Sequence, residues 1–143
     1  MKNRLLYIVA MIATGIMAFS ICASAQEKGK VVTLTTAEFK AKVCNIDAEG
    51  FKYLGKKPAI VDFYADWCMP CKMFAPVFES TAEEFEGKVK FVKVNIDESP
   101  ELAQKYFVMS IPTLKLVDGE ELKGNYVGAM PQDDLEDWIN DRI

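Results

Sequence analysis

The feature that most restricts the fold of this chain is the order in which strand-type and helix-type segments follow one another. Five short runs are rich in β-branched, aromatic and other apolar residues, as strands are; they are residues 31–34, 59–64, 89–96, 113–117 and 121–127. Helix-type segments separate the first four, and Asp118-Gly119 joins the last two as a hairpin turn does. The resulting order, β-α-β-α-β-α-β-β-α, predicts an α/β fold with a mixed central sheet and helices on both of its faces.

Local signals mark where the helices begin. Thr35 and Glu38 form a capping box that opens a helix reaching to about Cys44. A second helix is predicted over residues 68–86, with a kink at Pro76 because proline lacks the amide donor that a helix interior needs. Ser99 is predicted to cap a third helix, and a last helix begins after the hairpin.

Residues 1–25 differ in kind from the rest of the chain. Two basic residues precede an apolar run over residues 5–21, and Ala23-Ser24-Ala25 supplies the small residues that a signal peptidase accepts. This three-part pattern predicts a cleavable secretory signal peptide and a single mature domain over residues 26–143. We therefore expect the protein to be periplasmic or otherwise exported, with an uncleaved membrane anchor as the alternative.

Composition excludes several kinds of chemistry. The chain contains no histidine, so it has no imidazole for Ser-His-Asp or Cys-His catalysis or for zinc binding. Its net charge of −4 falls to about −6 once the two basic residues of the leader are removed, which predicts no binding to nucleic acid. We predict no metal and no cofactor, so the chemistry must come from other side chains.

Two cysteines, Cys68 and Cys71, lie where the strand of residues 59–64 leads into a helix. The amides and the positive dipole end of a helix N-terminus favour a thiolate, so Cys68 is predicted to be an exposed nucleophile. Cys71 follows one turn later, where it can close a disulfide with Cys68 or attack a mixed disulfide formed there. The alternatives are an inert disulfide and a zinc site, but zinc requires four ligands and Cys44 is the one further cysteine of the mature chain. Cys44 is predicted to be a small buried hydrophobe, with a regulatory thiol as the alternative.

Residues 63–72 read Phe-Tyr-Ala-Asp-Trp-Cys-Met-Pro-Cys-Lys, and this segment resembles the active site of the thioredoxin family. Met69 stands where thioredoxins usually have glycine. Ser110-Ile111-Pro112-Thr113 is similar to the cis-proline loop of that family. Four more residues match the family's buried aspartate, its lysine partner, its helix-kinking proline and its substrate-loop glycine; they are Asp62, Lys93, Pro76 and Gly128. The resemblance covers residues 31–143 and implies a thioredoxin fold.

The resemblance implies catalytic roles for Cys68, Cys71, Asp62 and Lys93. Asp62 lies in an apolar strand, where desolvation raises the pKa of a carboxyl group and allows it to relay the proton taken from Cys71. Lys93, on the next strand, is expected to temper that shift by charge pairing. The pattern alone leaves two alternatives open, which are a solvent-facing Asp62 and an ordinary exposed Lys93.

The resemblance also implies a substrate-binding surface around Cys68. The bond before Pro112 is expected to be cis and to face the two cysteines, and the backbone before it is expected to pair with substrate as an added strand. We expect Trp67 to form an exposed shelf, with a core aromatic as the alternative. The residues assigned to substrate binding are Trp67, Met69, Pro70, Ile111, Pro112, Val127, Gly128 and Ala129.

These features predict a thiol-disulfide oxidoreductase that reduces or isomerises disulfides of exported proteins. No histidine lies between the cysteines to stabilise the thiolate, and Pro70 with Asp62 and Lys93 resembles the reducing branch of the family. An exported reductase requires an electron donor in the membrane, and we expect a monomer. The alternatives are a disulfide-introducing oxidase and a non-redox binding or holdase module that uses the apolar surface around Trp67 and Pro112.

Overall fold

A computed structural model describes residues 30–46, 52–119 and 121–143 of the chain. The predicted signal peptide and its cleavage site lie outside these residues. Within the described ranges, no helix combines the length and the apolar character needed to cross a membrane.

The described residues contain one mixed sheet with the spatial order β1-β3-β2-β4-β5. Its strands are β1 (Val32–Thr33), β2 (Ala59–Tyr64), β3 (Lys90–Asn95), β4 (Thr113–Asp118) and β5 (Glu121–Val127). Strands β1 and β2 run parallel to β3, whereas β4 runs antiparallel to both β2 and β5. Strand β2 is therefore central, as its apolar sequence predicts, and Asp62 sits within it.

In the described ranges three helices connect the first four strands and a fourth follows β5, in the predicted order. They are α1 (Thr36–Lys42), α2 (Met69–Glu84), α3 (Pro100–Lys105) and α4 (Gln132–Asn140). The capping box of Thr35 and Glu38 is confirmed by reciprocal hydrogen bonds of about 3 Å. Helix α1 ends earlier than predicted, because Cys44 forms an isolated antiparallel bridge with Tyr53 instead of a further helical turn. Ser99 occupies the N-cap of α3, but its hydroxyl makes no capping hydrogen bond.

Helices cover both faces of the sheet, as predicted, because alternate residues of each strand enter two separate cores. The first core joins Phe63 of β2, Phe39 of α1 and Leu102 of α3. The second joins Ile60 of β2, Phe74 of α2 and Leu135 of α4. Since Asp62 is two residues from Ile60, it belongs to the face that α2 and α4 cover. This arrangement places the start of α2 directly beyond the end of β2.

Helix α3 ends in a Schellman motif whose left-handed residue is Phe107. The Val108 amide donates to the Ala103 carbonyl at 2.8 Å, and the Phe107 amide donates to the Gln104 carbonyl at 3.1 Å. Phe107 has a φ of 53°, in a region where glycine is the usual residue. Its side chain is 83% exposed, so burial of the ring does little to offset the cost of this backbone conformation.

Candidate active site

Cys68 and Cys71 form a disulfide at the start of α2, with a Cα–Cα distance of 5.3 Å. Cys68 is the N-cap of the helix, and its sulfur accepts a hydrogen bond from the Cys71 amide at 3.2 Å. The sulfur thus takes the place of the oxygen that usually caps a helix. When the disulfide is reduced, the same amide and the positive end of the helix dipole favour a thiolate at Cys68.

The two sulfurs differ in how a partner can reach them. Cys68 lines a groove of about 470 Å³, named here the active-site groove, whereas Cys71 does not line it. The expectation of an exposed Cys68 is wrong for the disulfide form, in which the residue is only 4% exposed. The cause is the packing of Ala65 with the half-buried Ile111 around the disulfide. A partner disulfide must therefore enter the groove to reach Cys68.

The bond between Ile111 and Pro112 is cis, as the resemblance implies. The Ile111 carbonyl oxygen lies 3.9 Å from the Cys68 sulfur. This contact is not a hydrogen bond in the disulfide, because neither sulfur carries a proton, but a reduced Cys68 thiol can donate to that oxygen. The Pro112 carbonyl accepts from the Gly128 amide at 2.8 Å, which ties the end of β5 to the cis-proline loop.

The structure divides the predicted substrate-binding residues into two sets. Those that line the active-site groove beside Cys68 are Trp67, Met69, Pro70 and Ile111. Pro112 is buried, so it contributes backbone and not apolar surface, which corrects the expectation for this residue. Val127, Gly128 and Ala129 do not line the groove, because the Gly128 amide turns towards Pro112 and the exposed Val127 lies at the end of β5.

Sequence reasoning missed four residues of the groove; they are Ile96, Val108, Met109 and Ser110. Three of them directly precede Ile111-Pro112, so their position beside the cis-proline loop is the signal that could have identified them. Met109 is 93% exposed and adds a flexible thioether beside the groove. With Met69 and Trp67, both also exposed, it gives the groove an apolar rim.

Trp67 is exposed, as expected, and a chain of polar contacts holds it in place. Its indole Nε1 donates to an Asp97 carboxylate oxygen at 2.9 Å, and the Asp97 amide donates to the Asn95 side-chain oxygen at 2.9 Å. The Asn95 side-chain nitrogen donates to Asp66 at 3.3 Å. Because β2 and β3 are parallel, their carboxyl ends meet at one edge of the sheet, where these contacts orient the indole beside Cys68.

Asp62 is fully buried, which excludes the alternative of a solvent-facing carboxyl. Neither of its carboxyl oxygens has a hydrogen-bond partner among the described residues. Desolvation raises the pKa of Asp62 from 3.8 to about 7, and the positive charge of Lys93 opposes this rise. The carboxyl group is therefore poised to exchange a proton near neutral pH.

Lys93 lies directly opposite Asp62 in the register between β2 and β3. The two side chains form no ion pair, but the charge of Lys93 still lowers the pKa of Asp62, as expected. The Lys93 Nζ lies 4.3 Å from the centroid of the Tyr64 ring, a cation–π contact that holds the ammonium group at the end of β2. Lys93 is half-buried, so it is not an ordinary exposed lysine, and it acts on Asp62 through space.

Among residues 30–46, 52–119 and 121–143, no group of three or more acidic or cysteine side chains is placed to hold a metal ion. In the same ranges Cys44 is outside any disulfide and is 2% exposed, which confirms its prediction as a buried residue.

A redox disulfide capping a helix, a cis-proline loop beside it and a buried carboxyl on the strand before it define a thiol-disulfide oxidoreductase. The sequence model of the family described as Thioredoxin matches residues 30–141. A thioredoxin from Haemophilus influenzae is 40% identical over 114 residues, which cover 80% of this chain and 98% of the relative. One from Rickettsia felis is 39% identical over 110 residues, covering 77% and 96%, and one from Porphyra purpurea is 40% identical over 113 residues, covering 79% and 97%. The chain belongs to the thioredoxin family and has the predicted thioredoxin fold.

The buried Asp62 makes stability depend on pH. The unfolded chain ionises this carboxyl near pH 3.8 and the folded protein near pH 7, so between these values the folded state holds an extra proton. Stability therefore falls as the pH rises through this window and stays low above it. We expect Asp62→Asn to remove most of this slope and to raise the free energy of unfolding at pH 8 by on the order of 2–4 kcal/mol.

Urea unfolding at pH 4, 6 and 8 measures this effect. Asp137→Asn, which changes an exposed aspartate on α4, is the matched control and should keep the slope of the parent protein. Equal slopes for Asp62→Asn and the parent would contradict the burial of an ionisable Asp62.

Proposed function

We propose that the protein reduces disulfides of exported proteins by a dithiol–disulfide cycle at Cys68 and Cys71. The observation that carries the proposal is the hydrogen bond from the Cys71 amide to the Cys68 sulfur at the floor of an apolar groove. This geometry favours a thiolate at the one cysteine that a partner can approach, and it keeps the second cysteine within bonding distance.

The first step joins enzyme and substrate. The Cys68 thiolate attacks one sulfur of the substrate disulfide, a Cys68–substrate disulfide forms, and the other substrate sulfur leaves as a thiolate that takes a proton from water. An extended substrate segment can lie along the groove and pair with the backbone before Pro112. The Ile111 carbonyl is placed for this, since it borders the attacking Cys68 sulfur.

The second step releases the substrate. The Cys71 thiol gives its proton to the Asp62 carboxylate, and the resulting thiolate attacks the Cys68 sulfur. The Cys68–Cys71 disulfide forms, the second substrate sulfur leaves as a thiolate, and two electrons have passed from the enzyme dithiol to the substrate. Asp62 suits this role because its pKa of about 7 lets it accept a proton near neutral pH.

The direction of electron flow follows from how weakly the site stabilises the thiolate. Met69 and Pro70 stand between the cysteines and neither carries a charge. A strongly stabilised Cys68 thiolate would make the disulfide form a stronger oxidant. Here the thiolate is stabilised by one amide and a helix dipole, and this weaker stabilisation favours a reductase over an oxidase. Oxidation leaves the protein as a disulfide, and an electron donor must then return two electrons.

The cellular setting of the proposal rests on residues 1–25. Their basic, apolar and small-residue regions support export of the mature domain, residues 26–143, to the periplasm or an equivalent space. Reduction in an oxidising compartment needs a supply of electrons from the cytoplasm, so the donor is a membrane protein. The mature domain acts as a monomer in this proposal, because the groove and both cysteines come from one chain.

Replacement of the two cysteines tests the order of the steps. Cys68→Ser should abolish reduction of insulin disulfides, because the attacking sulfur is lost. Cys71→Ser should still attack but should accumulate a Cys68–substrate disulfide, since nothing resolves it. Turbidity of the insulin B chain measures activity, and intact mass detects the trapped species. Insulin reduction by Cys68→Ser at the parent rate would contradict the mechanism. Any holdase activity, the non-redox alternative, would survive in both variants.

The proton transfer to Asp62 has its own test. Asp62→Ala should slow the resolution of the mixed disulfide more than its formation, because only resolution requires Cys71 to lose a proton. In the parent protein the resolution rate should rise as the pH increases through about 7, where Asp62 becomes a base, and the variant should lose this rise. Stopped-flow fluorescence of Trp67 can separate the two steps. Equal slowing of both steps would remove the proton-relay role.

A further inference from the structure

A second cavity, of about 320 Å³, lies on the face of the sheet opposite α2 and is named here the β4–β5 cavity. Residues of four segments form its wall: the chain after α1, the end of α3, β4 and β5. They include Cys44, Ile46, Tyr106, Phe107, Lys115 and Leu122. None of the residues that line this cavity lines the active-site groove. Its volume falls at the lower end of the roughly 300–1,000 Å³ that small-molecule sites occupy.

Lys115 is the unusual member of the wall. It lies in β4 opposite Val61 of β2, and only 6% of the residue is exposed. Among the described residues it has no ion pair and no hydrogen bond from its ammonium group. Its desolvation lowers the pKa of the amine. Its Nζ is not one of the fully enclosed unpartnered atoms, so the ammonium group keeps contact with open space at the cavity that Lys115 lines. No anion among the described residues pairs with it, although charges on mostly buried side chains are normally paired.

The rest of the wall is mainly apolar. Ile46 is half-buried, and Leu122 stands exposed on β5. Phe107 borders the cavity from its strained left-handed position, with most of its ring in solvent. The left-handed backbone conformation is strained for a residue other than glycine, and the aromatic ring is exposed to water. Backbone strain of this kind concentrates at ligand sites. Contact of the ring with an apolar ligand would offset part of that cost.

We propose that the β4–β5 cavity binds a small apolar monocarboxylate, whose carboxylate pairs with Lys115 and whose hydrocarbon part lies against Ile46, Phe107 and Leu122. Lys105, which is exposed at the same cavity, adds a second positive charge near the carboxylate. A phosphate ester fits less well, because a dianion requires several converging donors. A sugar fits less well too, because this wall offers few hydrogen-bonding groups for its hydroxyls.

Titration with hexanoate tests the proposal, and hexanamide serves as the neutral ligand of the same shape. Chemical shifts of backbone amides in the purified protein report the site. We expect saturable shifts at Phe107, Lys115 and Leu122 with hexanoate, and binding of hexanamide weaker by at least about tenfold. Lys115→Met should bind the two ligands with equal, weak affinity. Lys90→Met, which removes an exposed strand lysine, should bind hexanoate as the parent does.

Two further results separate loss of binding from loss of folding. Methionine is close to lysine in length and needs no ion partner, so Lys115→Met should remain folded and should reduce insulin at the parent rate. Phe107→Gly should bind hexanoate several-fold more weakly while unfolding at no lower urea concentration, because glycine suits the left-handed backbone. Equal affinities of the parent for the acid and the amide, or discrimination retained by Lys115→Met, would overturn the proposal. So would the absence of saturation with hexanoate up to about 10 mM.

Discussion

The hydrogen bond from the Cys71 amide to the Cys68 sulfur is the interaction on which the active site depends. It exists because Cys68 is the N-cap of α2. Helix α2 begins there because β2, buried on both faces, ends four residues earlier at Tyr64, and Ala65-Asp66-Trp67 forms the turn between them. The sheet therefore fixes the position of the reactive sulfur to within one turn. If α2 started one residue later, Cys68 would no longer be its N-cap, and its sulfur would lose the hydrogen bond from the Cys71 amide.

The second constraint is the carboxyl group of Asp62 in the interior of the central strand. Its burial works against folding once the group ionises, and no hydrogen bond among the described residues offsets this cost. The positive charge of Lys93 reduces the cost without forming an ion pair, because its ammonium group is held over the Tyr64 ring. A full ion pair would hold the Asp62 carboxyl ionised and remove its capacity to take up a proton near neutral pH. The buried Asp62 therefore lowers the free energy of unfolding above about pH 7, in exchange for a carboxyl group that can take up a proton at the active site.

Much of this structure can be predicted from sequence, because the signals are local. Segment order follows from apolar runs and turn residues, and the cysteine pair is recognisable from its place between strand and helix. The failures all depend on tertiary placement. Burial of Cys68 comes from packing by Ile111, which is remote in sequence. The contact of Lys93 with the Tyr64 ring likewise depends on how the side chains of two neighbouring strands pack. Met109 lines the groove because the segment before the cis-proline lies beside Cys68. No periodic sequence pattern marks such a loop.

The reduction potential of the Cys68–Cys71 pair tests the central claim most directly, because it measures how far the site stabilises the dithiol relative to the disulfide. The purified protein is equilibrated with defined ratios of reduced and oxidised glutathione, and alkylation followed by mass measurement gives the fraction of each form. Since one capping amide and a helix dipole stabilise the Cys68 thiolate only modestly, we expect a potential close to the value of about −270 mV that is typical of thioredoxins. A potential above about −180 mV would contradict the account, because it would show a thiolate stabilised enough to make the protein an oxidant.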